Sequence, residues 1–242
     1  TYMTGSALLK GSTELGSCQG PRIYVDNPDP SIFGPSKTVL APNEGAILGM
    51  YSRTDALKEG GAFQHPSNTL GVLVTARGVE HRDYEDPTAR GLAWDDLINP
   101  IRAQRGKRIY VDGSRTLKKA GAAFPSVGES RGVLYVQNQI AEAFDDERNS
   151  ALDEALSARL TTSCTVFLRR LTAAGCFRTR TDATAWTVNF GASLNTADVA
   201  ETSTEVGEIG LNTSPAAEFI YINITPYSGI QAAFAAQVAQ QA

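Results

Sequence analysis

The sequence predicts an α/β (α+β) fold, a mixed sheet flanked by helices. Three observations carry that expectation. Strand-like and helical stretches interleave along the whole chain. A long helix at about 145–174 is marked by the stripe Leu152, Leu156, Leu160, Cys164, Phe167 and Leu171, in steps of three and four residues. A strand at about 217–225, Ala-Glu-Phe-Ile-Tyr-Ile-Asn-Ile-Thr, alternates in character, is rich in β-branched and aromatic residues, and stops at Pro226.

Residues 1–20 are rich in Gly and Ser and show no period. Arg22-Ile23-Tyr24-Val25-Asp26 reads as a strand closed by Asn27-Pro28-Asp29-Pro30, and the chain then reads as loop to Pro42. Gly45–Tyr51 suits a small-residue helix or a strand, its two glycines suggesting close backbone approach. Residues 52–68 read as loop, Leu70–Ala76 as a strand and 77–90 as loop. Leu92, Trp94, Leu97 and Ile98 fit an edge element or a helical turn, and Ile109–Asp112 repeats the Ile-Tyr-Val-Asp of 23–26.

Gly132–Gln137 begins a strand or helix that continues with helical spacing to Phe144. Asp145-Asp146-Glu147 offers an acidic start for the long helix, and Gly175 is placed to cap its end after Arg169 and Arg170. Thr184–Phe190 and Ser203–Leu211 are strand-like, and the Ala- and Gln-rich 229–242 reads as a frayed helix or a tail.

The chemistry-bearing residues are sparse. His65 and His81 stand alone, so no metal ligand set forms by spacing. Cys18, Cys164 and Cys176 give an odd count without a CxxC pair, which argues against a disulfide framework or a zinc site and fits a reducing place of synthesis. No GxSxG elbow, P-loop or dinucleotide glycine pattern occurs, and Asp95-Asp96 and Asp145-Asp146 suit helix starts. A net charge of −4 argues against nucleic acid as partner, and no apolar run approaches the ~20 residues of a membrane span. The expectation is a self-assembling structural subunit with no catalytic residues, metal or cofactor. The competing reading is a small-molecule-binding or hydrolytic α/β domain without a recognised motif.

Charge is unevenly placed. Arg102, Arg105, Lys107, Arg108, Arg115, Lys118 and Lys119 crowd one stretch against Asp112, while acids gather at 145–154 and at Asp198, Glu201, Glu205 and Glu208. Two readings stand: solvated faces, or complementary patches between identical subunits that fix their register.

Five blocks in order give the chain a resemblance. Leu97-Ile98-Asn99-Pro100-Ile101-Arg102, then Gly106–Leu117, resembles the "gIN.IR" and "G.GI.VWGARTL" segments of contractile (myovirus-type) phage tail sheath proteins. Here Asp112-Gly113-Ser114 replaces the usual Trp-Gly-Ala, and Pro100 is inserted. Ala41–Asp55 is similar to "aPsG.vaGvyAr.D", and Phe63–Asn68 to "vw.aPAN". Val133–Ile140 with Gly175-Cys176-Phe177 is similar to "yvnvRRl…fl..L...Gaf", and Pro215–Ile220 to "p..PaefI.f.i".

The resemblance implies a sheath subunit that stacks in hexameric rings around a tail tube and contracts to drive it through a host envelope. Its implied partners are copies of itself, the tube protein, and baseplate and tail terminator proteins, with no nucleic acid and no membrane. Its implied place is the virion, after synthesis in the bacterial cytoplasm. It divides the chain into an amino-terminal segment or outer-domain remnant (1–40), a sheath core (41–225) and a tail (226–242). The opening Thr1 in place of Met adds the expectation of a fragment or processed form. In the family, terminal arms add strands to neighbouring sheets. The strand residues Glu218, Phe219, Ile220, Tyr221, Ile222, Asn223 and Ile224, with Arg102, Arg105, Lys107 and Arg108, are therefore the expected subunit interface, and Ser214-Pro215 the hinge.

Overall fold

The computed structural model describes residues 16–104, 108–118, 126–196, 199 and 201–217. They form helices packed with small sheets, the α/β arrangement expected. Strand β1 (Cys18–Gly20) runs parallel to β5 (Ile98–Arg102), which pairs antiparallel with β6 (Tyr110–Val111). Strand β2 (Ile23–Asp26) is the centre of a second sheet, flanked antiparallel by β3 (Thr38–Ala41) and β4 (Ala76–Val79). Residues on both sides of position 41 thus share sheets.

The loop expected from Pro28 to Pro42 holds a short helix, α1 (Pro30–Phe33), and β3. The Asp29 carboxylate caps α1 by accepting from the Ser31 amide, and Pro30 sits where no amide is needed. Residues 45–51 belong to helix α2 (Glu44–Asp55), which buries Ile47, Met50 and Thr54 on one face. Its glycines meet nothing within 4 Å, so the close approach expected at Gly45 and Gly49 is absent. The close approach falls instead where a Cβ on Gly132 would stand 2.3 Å from the Phe63 ring. The loop expected over 52–68 contains the end of α2 and a 3₁₀ turn at Gly61–Phe63.

The strand expected at 70–76 begins only at Ala76, because Leu70–Thr75 is taken up by turns that bring Leu73 into the core. The loop expected over 77–90 is β4, a 3₁₀ turn at Asp83–Glu85 and the start of α3 (Pro87–Asp95). Asp86 caps α3 through the Ala89 amide, so Asp95-Asp96 marks the end of a helix rather than a start.

The long helix expected at 145–174 is present but starts later, at Glu154. Helix α4 (Val127–Asp145) ends where the long helix was expected to start, and α5 (Glu154–Ala173) begins after an exposed turn. The acidic run at 145–147 closes α4, and the carboxylate that nucleates α5 is Asp153, whose side chain accepts from the Leu156 amide at 2.8 Å. Leu152 is 40% exposed, and Leu168, fully buried, takes the central place in the α5 stripe. The α5 end is as expected: Gly175 has φ +73°, with Cys176 N donating to Leu171 O and Gly175 N to Thr172 O.

Helix α6 (Asp182–Ala185) leads into β7 (Trp186–Asn189), which pairs antiparallel with β8 (Glu208–Leu211). Trp186, Val188, Ile209 and Leu211 lie on one face of this ribbon and pack with Leu168, Leu171 and Phe177. A second cluster gathers Ile23, Ile47, Met50, Leu73, Ile101 and Val111, and a third Leu156, Leu160, Cys164 and Phe190. Burial pushes the Cys164 thiol up to about 11, as expected of a small buried hydrophobe. Among the described residues no helix is long and apolar enough to cross a membrane. The strand expected at 217–225 lies outside the described residues beyond Ala217.

Leu168→Ala should lower the unfolding free energy by about 2–5 kcal/mol, because the site sits between α5 and the ribbon with no room to collapse. Leu152→Ala should cost well under about 1 kcal/mol. Urea titration of both variants checks the contrast.

Candidate functional site

The 97–117 segment folds into one tied junction. Asn99, 1% exposed, points from β5 into the space between β1 and the turn after β6. Its amide nitrogen donates to Cys18 O at 3.2 Å and Arg115 O at 2.8 Å, and its oxygen accepts from Arg115 N at 2.7 Å. Arg115 Nη1 donates to Trp94 O at 2.6 Å, and the Trp94 indole N–H to Asp112 O at 3.1 Å. These bonds join α3, β1, β5 and the 112–115 turn, so the motif residues are structural ties.

Arg102, an expected interface residue, is committed within the chain. Its side chain is 12% exposed and bonds Asp112 at 2.6 Å and Glu85 at 3.3 Å. Burial works against the guanidinium charge, but the Asp112 bond and the neighbouring anionic groups outweigh it and hold the pKa above the ordinary arginine value. Arg108 is exposed and lines a depression of about 290 Å³ with Asn68, Thr69, Val72 and Tyr110. Arg105, Lys107 and Glu218–Ile224 lie outside the described residues. Several of the acids are likewise paired at home: Glu147 with Arg159 at 3.1 Å, Asp145 with Arg148 at 3.2 Å, and Glu205 with the Ser157 hydroxyl at 2.6 Å.

A second junction anchors the chain where it passes Thr213 and Ser214. Ser126-Val127-Gly128-Glu129 forms a capping box at the start of α4: the Glu129 amide donates to Ser126 Oγ, and that hydroxyl donates to Glu129 Oε2 at 2.7 Å. The other carboxylate oxygen, on a side chain that is almost fully buried, accepts from Thr213 Oγ1 at 2.8 Å. His65 Nε2 lies 3.0 Å from Ser214 O, and Nδ1 lies 3.5 Å from the buried Ser114 hydroxyl. A Cβ on Gly128 would stand 2.7 Å from His65 Nδ1, so glycine is what lets the ring lie on the helix start. Ser214, where a hinge was expected, is thus held by its carbonyl.

The sequence places His65 in a loop and Ser114 within a motif, and does not single out Ser126, Glu129 or Thr213. The S-x-x-E pattern at 126–129 was the available signal for two of them. Ser114, His65 and Glu129 do not form a nucleophilic triad. The ring nitrogen away from Ser114 faces a main-chain carbonyl, and the carboxylate is used by Ser126 and Thr213. Among the described residues no group of three or more His, Cys, Asp or Glu side chains could hold a metal. A depression of about 430 Å³ between α4 and α5 is floored by Ile140, Phe144 and Phe167 and gathers no convergent acid–base pair.

The β7–β8 ribbon packs one face on α5 and has only two strands among the described residues. A two-stranded ribbon leaves outer rows of backbone donors and acceptors for a further strand.

Asn99→Ala should destabilise the protein by about 3 kcal/mol or more, since it strands two carbonyls and an amide in a dry junction. Asn99→Asp, similar in shape, should do no better, because it turns an anion toward the Cys18 and Arg115 carbonyls. Denaturant unfolding of both variants tests this.

No protein-family model matches the sequence, and no curated protein matches it. Solved structures do match. A chain in the helical sheath of the anti-feeding prophage in its contracted state superposes with TM-score 0.76 at 21% identity, covering 89% of this chain and 57% of the other. A chain in the contracted PVC sheath complex of an extracellular contractile injection system gives TM-score 0.76 at 18% identity, covering 88% and 56%. The sheath tail protein from Desulfitobacterium hafniense gives TM-score 0.54 at 11% identity, covering 74% and 39%. The chain thus spans a little over half the length of the injection-system chains it matches. Over most of its residues it has the fold of contractile sheath proteins.

Proposed function

We propose that the chain is a structural subunit of a contractile sheath, polymerising helically around a tube and contracting to drive that tube through a target envelope. The observation that carries the reading is the shared fold with a chain of a contracted helical sheath over 89% of this chain. It agrees with the five ordered sequence blocks, which were read from residues alone. In this reading the protein works by assembly rather than by catalysis. Its partners are copies of itself in stacked hexameric rings, a tube protein, and baseplate and terminator proteins. Its place is a phage tail or a related extracellular particle.

The β7–β8 ribbon and the exit at Ser214 supply the physical route. Residues 218–225 alternate in character, as a strand added to another chain's sheet requires. The ribbon has one face buried and, among the described residues, only two strands, which suits it to receive such a strand. Donor and acceptor would then be successive subunits, a head-to-tail contact that propagates into rings and helices. Arg108, together with Arg105 and Lys107, remains the proposed polar part of that contact. Arg102 contributes through the fold of β5 and β6, since its charge is already matched by Asp112 and Glu85.

Negative-stain microscopy of the full protein should show tubes of stacked rings. Deleting residues 218–242 should abolish the tubes while leaving a monomer with a cooperative melt near that of the full protein. Tubes from the deleted form would exclude strand donation, and monomers of the full protein across salt and concentration would exclude the sheath role.

A further inference from the structure

His65 is half-buried against the first turn of α4, and both of its ring nitrogens are engaged. Nε2 faces the Ser214 carbonyl, which only accepts, so that nitrogen must carry a proton and donate. Nδ1 is then the bare nitrogen of a neutral ring, with the Ser114 hydroxyl as its donor. Ser114 is itself buried, and its carbonyl accepts from the Val127 amide at 2.7 Å, so it is fixed to the start of α4. The charged group facing the ring is the Glu129 carboxylate, from α4. The facing residues of the other packed segments, Phe63 and Gln64, Ser114, and Thr213 and Ser214, are neutral. The neighbouring Arg115 turns its guanidinium to Trp94 O.

We propose that His65 and Glu129 are positioning residues that clamp the chain at Thr213–Ser214 and fix the course of residues 212–217, and that protonation of His65 loosens this clamp. Three features of the site argue for it. The clamped geometry uses the neutral ring, with Nδ1 as an acceptor. The first turn of α4 packs close beside that nitrogen, where a Cβ on Gly128 would stand only 2.7 Å away. Burial lowers the ring's pKa more than the Ser214 bond and the Glu129 charge raise it, so the clamped state binds a proton less tightly than a released, solvated ring does. Linkage then fixes the sign. The clamp is intact above the ordinary histidine value of about 6.5 and weakens as pH falls below it. From the sheath reading the proposal takes only the idea that the exiting segment engages a neighbour. The clamp itself is a property of one folded subunit.

The test is amide hydrogen exchange on the full chain at pH 5.5 and 7.5, corrected for intrinsic rates. Protection at residues 212–217 should fall several-fold on acidification, by at most about tenfold per pH unit. Peptides from the middle of α5 should not change. His65→Gln keeps a side-chain donor for Ser214 O but does not titrate, so it should abolish the pH step. Thr213→Val, which removes the Glu129 bond, should raise exchange there at both pH values. Equal protection of the wild type at both pH values would overturn the proposal, as would a step that survives in His65→Gln. Should His65→Gln fail to fold, NMR titration of the wild-type ring decides the matter: a His65 that titrates with no change at 212–217 also overturns it. Because the readout needs no polymer, failure here leaves the sheath reading standing, and absence of tubes leaves the clamp standing.

Discussion

The Asn99 carboxamide is the constraint on which the amino-terminal half of the fold depends. A parallel pairing of only three residues, β1 on β5, is too short to hold by its own ladder. The side chain supplies what the ladder lacks, because one planar group meets a carbonyl of β1 and both main-chain groups of Arg115. The register of β1, the position of β6 and the seat of α3 follow from that single placement. Arg102, Asp112 and Glu85 extend the tie outward as an ion network. Buried ion pairs of this kind specify geometry more than they stabilise it.

The same logic operates at the other end of the chain. Glu129 completes a helix cap and, with its other oxygen, holds Thr213, so the start of α4 and the segment after β8 are fixed by one carboxylate. The ribbon β7–β8 lies beside this point and draws its stability from α5, through Leu168 and Leu171, rather than from its own two strands. An assembly that adds a strand to such a ribbon alters little of the core. The ribbon can thus gain a neighbour without a change in the fold beneath it.

Legibility in the sequence followed the strength of local periodicity. The strand at 23–26, the apolar face of α5 and its Gly175 end were readable because each is set by neighbours three or four residues away or by one backbone requirement. The break between α4 and α5 was not, because Asp145-Asp146-Glu147 has the composition of a helix start and lies only a few residues before the true cap, Asp153. Strand β4 was misplaced because Leu70–Ala76 is apolar for a tertiary reason: Leu73 fills the core from a turn. The candidate site was partly legible. The motif blocks located Asn99 and Arg102, but a basic tract cannot disclose that Glu85 and Asp112 neutralise Arg102. The S-x-x-E spacing marks Glu129 as a cap, but its bond to Thr213 and the His65–Ser214 contact cross long sequence separations, which spacing does not encode.

The exposed turn 146–153 between α4 and α5 bears on how this fold can acquire new surface. It joins two helices whose ends are capped independently, α5 by Asp153 and α4 at Asp146, and the rim pair Glu147–Arg159 ties it to α5. Lengthening a loop of this kind costs only about 0.6 kcal/mol per doubling of its length. An inserted module would inherit an anchored base without disturbing the clusters beneath. Variation in length can therefore gather there while the packed clusters keep their arrangement.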